Sequence, residues 1–284
     1  MNSIDVFIYS YKGKSIKDVV NQLFKTAKNN INVHIFDQNP IDRHELFNDI
    51  PNLNYKNIIW DLQKSPCIYK HNFIKRSRAD YILILSDNIL LSEGWDERFI
   101  NFINNDIVIS GSGNLNIYKK NNFYIDKNIS DSSLFNLTNY INRDFLFAKR
   151  TTMLRVDYPT YIKYNGEEEV VSALFYCSGI DIYSAPTKIY SKIGEPTIEN
   201  LYVPFSLDHL YNDSLELFFN GKNKYVSLDT VRTIDDFEKF HSFVFKDNLF
   251  LLPFLNNDVG YDQYSVKFGN MGGTKFIDKL KKVE

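Results

Sequence analysis

Only two cysteines occur in the chain, Cys67 and Cys177. Neither belongs to a Cys-x-x-Cys or Cys/His spacing. That excludes a disulfide framework and a zinc module, and it makes a reducing, cytoplasmic setting the expectation. Apolar runs are short: none approaches the roughly 20 residues that span a bilayer, so no membrane span is expected. The opening run Asp5–Tyr11 reads as a strand rather than as a leader. A surplus of positive charge is missing too, with 33 Lys and Arg against 35 Asp and Glu and a net charge of −2. Chains that grip phosphate backbones usually carry such a surplus. Here only the local cluster Lys75-Arg76-Ser77-Arg78 and a Lys-rich tail leave room for that. The phosphate-cradling Gly-x-x-x-x-Gly-Lys, the dinucleotide Gly-x-Gly-x-x-Gly and the nucleophile elbow Gly-x-Ser-x-Gly are all missing, which removes support for P-loop kinases, dinucleotide enzymes and serine hydrolases. His34, His44, His71, His209 and His241 show no His-x-His or His-x-x-x-His pairing. No internal repeat or low-complexity linker interrupts the chain.

What is present is apolar and aromatic material in quantity. Hydrophobic residues make up 44% of the 284 positions and aromatic ones 15%, enough for one large domain, or one domain and a smaller part. Strand and helix signals alternate. Val6–Tyr9 reads as a buried strand. Ser15 then suits an N-cap, followed by Ile16, Val19, Val20, Leu23, Phe24 and Ala27 on one face of a helix. Val33–Phe36 and Ile58–Trp60 read as further strands, and Cys67–Arg78 as a helix with Ile68 and Phe73 inward. Tyr81–Leu85 is continuously apolar, as a strand covered on both faces should be. Trp95–Ile103 reads as helix, Ile107–Ser110 and Phe145–Ala148 as strands, Glu167–Tyr176 as helix and Asp181–Ser184 as a last strand. The Asn/Lys/Asp/Ser-rich stretch after Ser110 reads as loop or lid, and Lys275–Lys282 as a terminal helix. The alternation predicts an α/β fold with a mostly parallel sheet and crossover helices. Residues 1–195 form the expected core domain and 196–284 an irregular extension packing on it.

Three polar clusters could carry chemistry. Ser86-Asp87-Asn88 follows the strongest strand, where ligands bind in open α/β sheets. A nucleotide-diphosphate leaving group carries concentrated negative charge, which a divalent cation held by side-chain oxygens can neutralise. Asp87 supplies charge for that role, Asn88 a neutral oxygen, and Ser86 a bond to a sugar hydroxyl. The same residues also suit a plain polar turn capping the next helix. Gly166-Glu167-Glu168-Glu169 suits dipole matching at a helix start. It equally suits a carboxylate that orients or deprotonates an acceptor hydroxyl, since packing acids together raises the pKa of at least one of them. Ser10-Tyr11-Lys12, at the end of the first strand, offers a base-stacking ring and a phosphate-seeking ammonium, or an ordinary turn before Gly13.

The order of these pieces resembles the polypeptide N-acetylglucosaminyltransferase family. The resemblance runs from Val6 to Lys192, with a weaker echo at Arg232–Phe237. It rests on Ser10-Tyr11-Lys12-Gly13, on Gln38 after the second strand, and on Ser65-Pro66-Cys67-Ile68-Tyr69-Lys70. Tyr81–Leu85 with Trp95-Asp96 also carries it, as do Gly166-Glu167-Glu168 and Gly179-Ile180-Asp181-Ile182-Tyr183-Ser184-Ala185-Pro186. The family's metal motif Asp-Ser-His is replaced by Ser86-Asp87-Asn88, and its late His falls near Ser191.

The resemblance implies a GT-A glycosyltransferase fold and a UDP-sugar donor, UDP-GlcNAc by type, with retained anomeric configuration. It implies nucleotide contacts at Ser10, Tyr11, Lys12, Gln38, Ser86 and Asp87. A divalent cation, Mn or Mg, would lie at Asp87 and Asn88, and Glu167 or Glu168 would face the hydroxyl of a protein or glycan acceptor. Phe205, His209, Phe218 and Phe219 would help form the acceptor cleft. Two other readings are open to the sequence: a phage-type transferase acting on flipped-out hydroxymethylated DNA bases, and a module that binds a nucleotide sugar or glycan without turnover.

Overall fold

A computed structural model of the protein describes residues 2–10, 13–58, 66–111, 114–120, 122–128, 134–138, 141–160, 167–193, 231–232, 236, 243–244, 249–251, 264–267 and 281–282. Its centre is an eight-stranded sheet in the order β3-β2-β1-β4-β10-β6-β11-β9. β1 (Ser3–Ser10), β2 (Asn30–Asp37), β3 (Leu53–Asn57) and β4 (Tyr81–Ser86) are parallel neighbours. β10 (Phe145–Lys149) runs against both β4 and β6 (Ile107–Ser110). β11 (Asp181–Ser184) is parallel to β6, and β9 (Asn136–Thr138) closes that edge antiparallel. The expected α/β class and mostly parallel sheet are thus observed.

The alternation of side chains along each strand builds two cores. Ile4, Val6 and Ile8 of β1, with Leu83 and Leu85 of β4, pack with Ile16, Val19, Val20 and Leu23 of helix α1 (Ile16–Thr26). Trp95 and Phe99 of helix α3 (Trp95–Phe102) join the same core. Phe7, Ile82 and Ile84 point to the opposite face. There they meet Phe73 and Ile74 of α2 (Pro66–Arg76), Met153 of α4 (Arg150–Leu154), and Val170, Val171 and Leu174 of α5 (Glu167–Cys177). The unbroken apolar run of β4 is therefore explained: all six of its residues are buried because helices cover both faces. Asp96, fully buried, accepts from the backbone N–H groups of Lys28 and Asn29 at 2.6–3.1 Å. Asp96 thus has a structural role, fixing the turn from α1 into β2, while Trp95 fills the core.

Several expectations are corrected. The third strand covers Leu53–Asn57, so that Ile58, expected inside it, follows its end; Ile59 and Trp60 lie outside the described residues. As an edge strand it buries only one face, through Leu53 and Tyr55. The polar stretch after Ser110 is no simple loop: β7 (Asn114–Lys120) and β8 (Asn122–Asn128) pair as an antiparallel hairpin. Lys281–Lys282, expected in a helix, form the strand β16, paired with β15 (Tyr264–Lys267); the rest of that expected helix lies outside the described residues. Ile68 is only half-buried, whereas Phe73 is buried as expected. Ser15 does occupy the N-cap of α1, but its backbone is already helical and its hydroxyl makes no capping bond.

α5 ends in a Schellman turn, with Ile180 N donating to Phe175 O and Gly179 N to Tyr176 O, both at 2.9 Å. Gly179 takes the left-handed conformation there, φ 75°. Beyond residue 195, Arg232 docks on this turn. Its backbone N donates to Cys177 O at 3.1 Å, and its guanidinium lies 2.7 Å from Asp181 Oδ1 and 4.7 Å from the Tyr176 ring centre. No helix of the described residues is long and apolar enough to cross a membrane.

Candidate active site

Parallel register brings the polar strand ends together. Ser10 lies opposite Asp37, and Tyr9 opposite Ser86. Antiparallel β10 begins at the same edge, with Phe145 opposite Leu85. The carboxyl ends of β1, β2 and β4 and the turn at 142–144 therefore face one another, as open α/β sheets arrange a ligand site.

Asp87 and Asn88 sit at the tip of β4 and are 1% and 3% exposed. Among the described residues, neither the Oδ1 nor the Nδ2 of the Asn88 side chain has a hydrogen-bond partner. Burying an amide without partners is costly, about 1–3 kcal/mol per unsatisfied group, and a water or a ligand can supply the missing bonds here, as at Ser92 Oγ and Trp95 Nε1, which are unpartnered in the same way. The backbone of Asn88 is fixed: its carbonyl accepts from Ile193 N at 2.8 Å. β5 (Ile89–Leu91) then pairs antiparallel with β12 (Tyr190–Lys192). This small sheet lays Lys192 across from Ile89.

Gly13 meets Asp87 directly. A Cβ built on Gly13 would lie 1.8 Å from Asp87 Oδ2 and 2.6 Å from its Cγ. Only a glycine admits this approach. The segment is held from the other side by Arg43. Its Nε and Nη2 clasp the two oxygens of Asp37 at 2.8 and 2.6 Å, Nη2 reaches Ser10 Oγ at 3.3 Å, and Nη1 donates to Gly13 O. Tyr55 donates to Asp37 Oδ2 at 2.8 Å. Burial lowers the affinity of Arg43 for its proton, but the hydrogen bonds and charge of Asp37 outweigh it, and the net pKa is raised. Gln38 is 5% exposed and accepts from the Tyr9 hydroxyl through its Oε1.

The two acids at the start of α5 do different things. Glu167 turns into the core, where Lys70 Nζ lies 2.5 Å from its Oε1 and the Tyr158 hydroxyl donates to the same oxygen. Burial pushes this carboxyl up, yet the charge and hydrogen bond of Lys70, helped by Tyr158 and Arg143, hold it below the usual value. Glu167 is thus not an acid whose pKa crowding raises. Glu168 is half-buried, and its Oε1 accepts from Arg143 N at 2.9 Å. The next residue, Asp144, accepts through its carbonyl from Ser86 N at 2.8 Å. One turn thus ties Glu168 to the Asp87 tip. Of the pair expected to face an acceptor, Glu167 is bound to Lys70 and Tyr158, and Glu168 to the backbone of Arg143.

The structure therefore brings Ser10, Gln38, Ser86, Asp87, Asn88 and Glu168 to one edge. Tyr11, Lys12, Gly166, Phe205, His209, Phe218 and Phe219 lie outside the described residues. Sequence reasoning missed Arg43, Asp37, Tyr55, Asp144 and Lys192 as site neighbours. Gly13 stood in the sequence as an ordinary turn residue, and Lys70 was visible only as the counterpart of a family arginine.

No protein-family model matches the chain, and no curated protein sequence matches it. Solved structures do. The chain is similar to S. aureus TarS, a glycosyltransferase, at 11% identity and TM-score 0.52, over 84% of this chain and 42% of that one. A second TarS structure, of residues 1–349, matches at 12% identity and TM-score 0.52, over 84% of this chain and 68% of that one. The fold is GT-A-like. The chain spans less than half the length of the longer TarS structure.

The donor set for a cation is small. Among the described residues no group of three or more His, Cys, Asp or Glu side chains is placed to hold a metal ion. At the β4 tip itself the oxygen donors are the Asp87 carboxylate and the Asn88 Oδ1. That pair fits a hard cation only where substrate phosphates and water complete the shell, as Mg²⁺ accepts.

Proposed function

We propose that the chain is a glycosyltransferase that moves a hexosyl or N-acetylhexosaminyl unit from a UDP-sugar to a hydroxyl of a protein or glycan. The observation that carries this reading is the Asp87-Asn88 tip, with its buried, unpartnered amide at the shared strand edge of a GT-A-like sheet. The nucleotide would lie over Ser10, Gln38 and Ser86, with Tyr11 and Lys12 beside it. In transfer, the bond from the anomeric carbon to the diphosphate oxygen breaks and UDP leaves with the electron pair. The acceptor oxygen forms the new bond. Glu168 orients that hydroxyl or takes its proton. A divalent cation held by Asp87 and Asn88 would neutralise charge on the departing diphosphate. The net charge of −2 supports a protein or glycan acceptor over DNA. Two buried, unbridged thiols suit a cytoplasmic enzyme.

The test is UDP release from a panel of UDP-sugars, with and without Mn²⁺ or Mg²⁺. Metal-dependent release from one donor names the sugar and supports the cation at Asp87. Release without metal keeps the transferase and removes the cation. No release from any donor, together with no UDP-sugar binding by calorimetry, sinks the reading.

A further inference from the structure

We infer that Lys192 supplies a fixed positive charge to the donor's diphosphate. The inference rests on the nucleotide-sugar reading above and assigns a residue to the leaving group. The first ground is placement. β12 sets Lys192 opposite Ile89, the residue after the Asp87-Asn88 tip, and Ile193 N is bonded to the Asn88 carbonyl. The lysine backbone is thus pinned to the same tip. The second ground is its partner. Lys192 Nζ lies 3.3 Å from Asp144 Oδ2, and the carbonyl of Asp144 accepts from Ser86 N. The ammonium is therefore held by a residue whose backbone is bonded to Ser86, the residue that precedes Asp87. The third is accessibility: the Lys192 side chain is 33% exposed against 17% for Asp144, so the lysine is the more accessible member of the pair.

The chemistry follows from the balance of charge. A diphosphate carries more negative charge than the single carboxylate Asp144 and offers more acceptor oxygens, so it outcompetes Asp144 for the ammonium. Asp87 gives one negative charge for a cation, and no group of three ligating side chains stands near it among the described residues. A lysine in this position does part of the work that a metal does in a more acidic site. A preorganised cation at a developing anion is an efficient form of stabilisation.

The experiment is calorimetry on the full chain in EDTA, with UDP and with uridine as probes. Wild type binds both. Lys192→Met weakens UDP binding roughly 10- to 100-fold, the range for losing a charge-assisted hydrogen bond, and leaves uridine binding unchanged. Lys192→Arg restores UDP binding. Asp144→Asn, which removes the competing carboxylate, tightens UDP but not uridine. Equal UDP affinity in wild type and Lys192→Met overturns the inference, and so does UDP binding by wild type only when Mn²⁺ or Mg²⁺ is added. If Lys192→Met loses uridine as well, Asp144→Asn decides, and the inference stands only if UDP tightens relative to uridine. Wild type that binds neither probe under any metal condition overturns the nucleotide-sugar reading beneath it.

Discussion

Lys70 Nζ lies 2.5 Å from Glu167 Oε1 across 97 residues of sequence, with the two side chains 6% and 4% exposed. This pair fastens α2 to the start of α5, the helix that presents Glu168. Removing one charge leaves the other buried and unmatched, which typically destabilises by about 3–5 kcal/mol. Lys70→Met is expected to lose that much in urea unfolding. Lys70→Met/Glu167→Leu is expected to recover most of it, because an apolar pair carries no desolvation penalty. A double variant as unstable as the single one would place the loss in packing, not in the stranded charge.

The same pair sets an acid limit. Glu167 is held below its ordinary 4.5 in the folded protein. The sign follows: the folded state binds this proton less readily than the unfolded one, so the contribution is complete above pH 4.5 and is lost as pH falls through the folded value. Urea midpoints measured from pH 7 down to pH 3 should therefore fall less steeply in Lys70→Met/Glu167→Leu than in wild type. Parallel curves would show that Glu167 takes no part in acid unfolding.

Much of the fold was legible in residue pattern. Tyr81–Leu85 announced a doubly covered strand by having no polar residue, and Ile16, Val19, Val20 and Leu23 announced one buried helix face. The β7–β8 hairpin was legible in principle: Leu115 and Ile117, then Phe123 and Ile125, recur at every second position. Their period of two was hidden by the Asn and Lys around them. The site was half legible. Asp87 and Asn88 could be placed because they follow a strand end. Arg43 could not, because its link to Asp37, Ser10 and Gly13 depends on two strands lying side by side. The split between Glu167 and Glu168 was also invisible, since it depends on which of two adjacent acids meets Lys70.

Gly13 offers a steric test. An alanine there places its methyl 1.8 Å from Asp87 Oδ2, and Asp87, 1% exposed, has little room to retreat. Overpacking of this kind destabilises by about 1–3 kcal/mol. Gly13→Ala is expected to lose stability in that range, along with most UDP release. Gly13→Ala/Asp87→Ala should regain the stability without the activity. A Gly13→Ala protein with wild-type stability and turnover would show that the two residues do not press on each other.

At the alkaline end the sign is opposite. Burial pushes the Cys177 thiol up from 9.0 to about 12, with Asp236 adding to the rise and Arg232 opposing it. Tyr158 is raised well above 10, first by burial and then by the Glu167 charge. The folded state keeps these protons when the unfolded chain releases them, so stability present below pH 9 is lost as pH rises toward 12. Unfolding midpoints should fall over that interval, and Cys177→Ala should reduce the slope. At pH 8 the folded protein should leave Cys177 unreacted with a thiol reagent, because the thiolate is the nucleophile. Rapid labelling at pH 8 in the absence of denaturant would contradict the burial that underlies both expectations.

Glu168 and Asp87 separate chemistry from architecture. Glu168→Gln keeps an oxygen that can accept from Arg143 N, so the turn that joins α5 to Ser86 survives. What it loses is the charge that would attract or take the acceptor's proton. Losing a positioned acid–base group slows transfer by about 10²–10⁴-fold, while the melting temperature should stay close to that of wild type. Asp87→Ala acts on the other partner. It empties the space beneath Gly13 and removes the one carboxylate at the β4 tip, so its defect should appear in donor turnover and, if a cation is used, in metal dependence. Acceptor-independent hydrolysis of the UDP-sugar distinguishes the two. Asp87→Ala should abolish it, since it needs only the donor side. Glu168→Gln should retain more of it, since water replaces the hydroxyl that Glu168 would serve under the proposed function. If Glu168→Gln transfers sugar at the wild-type rate, the turn from Arg143 to Ser86 is scaffolding alone, and the acid–base role belongs to another residue.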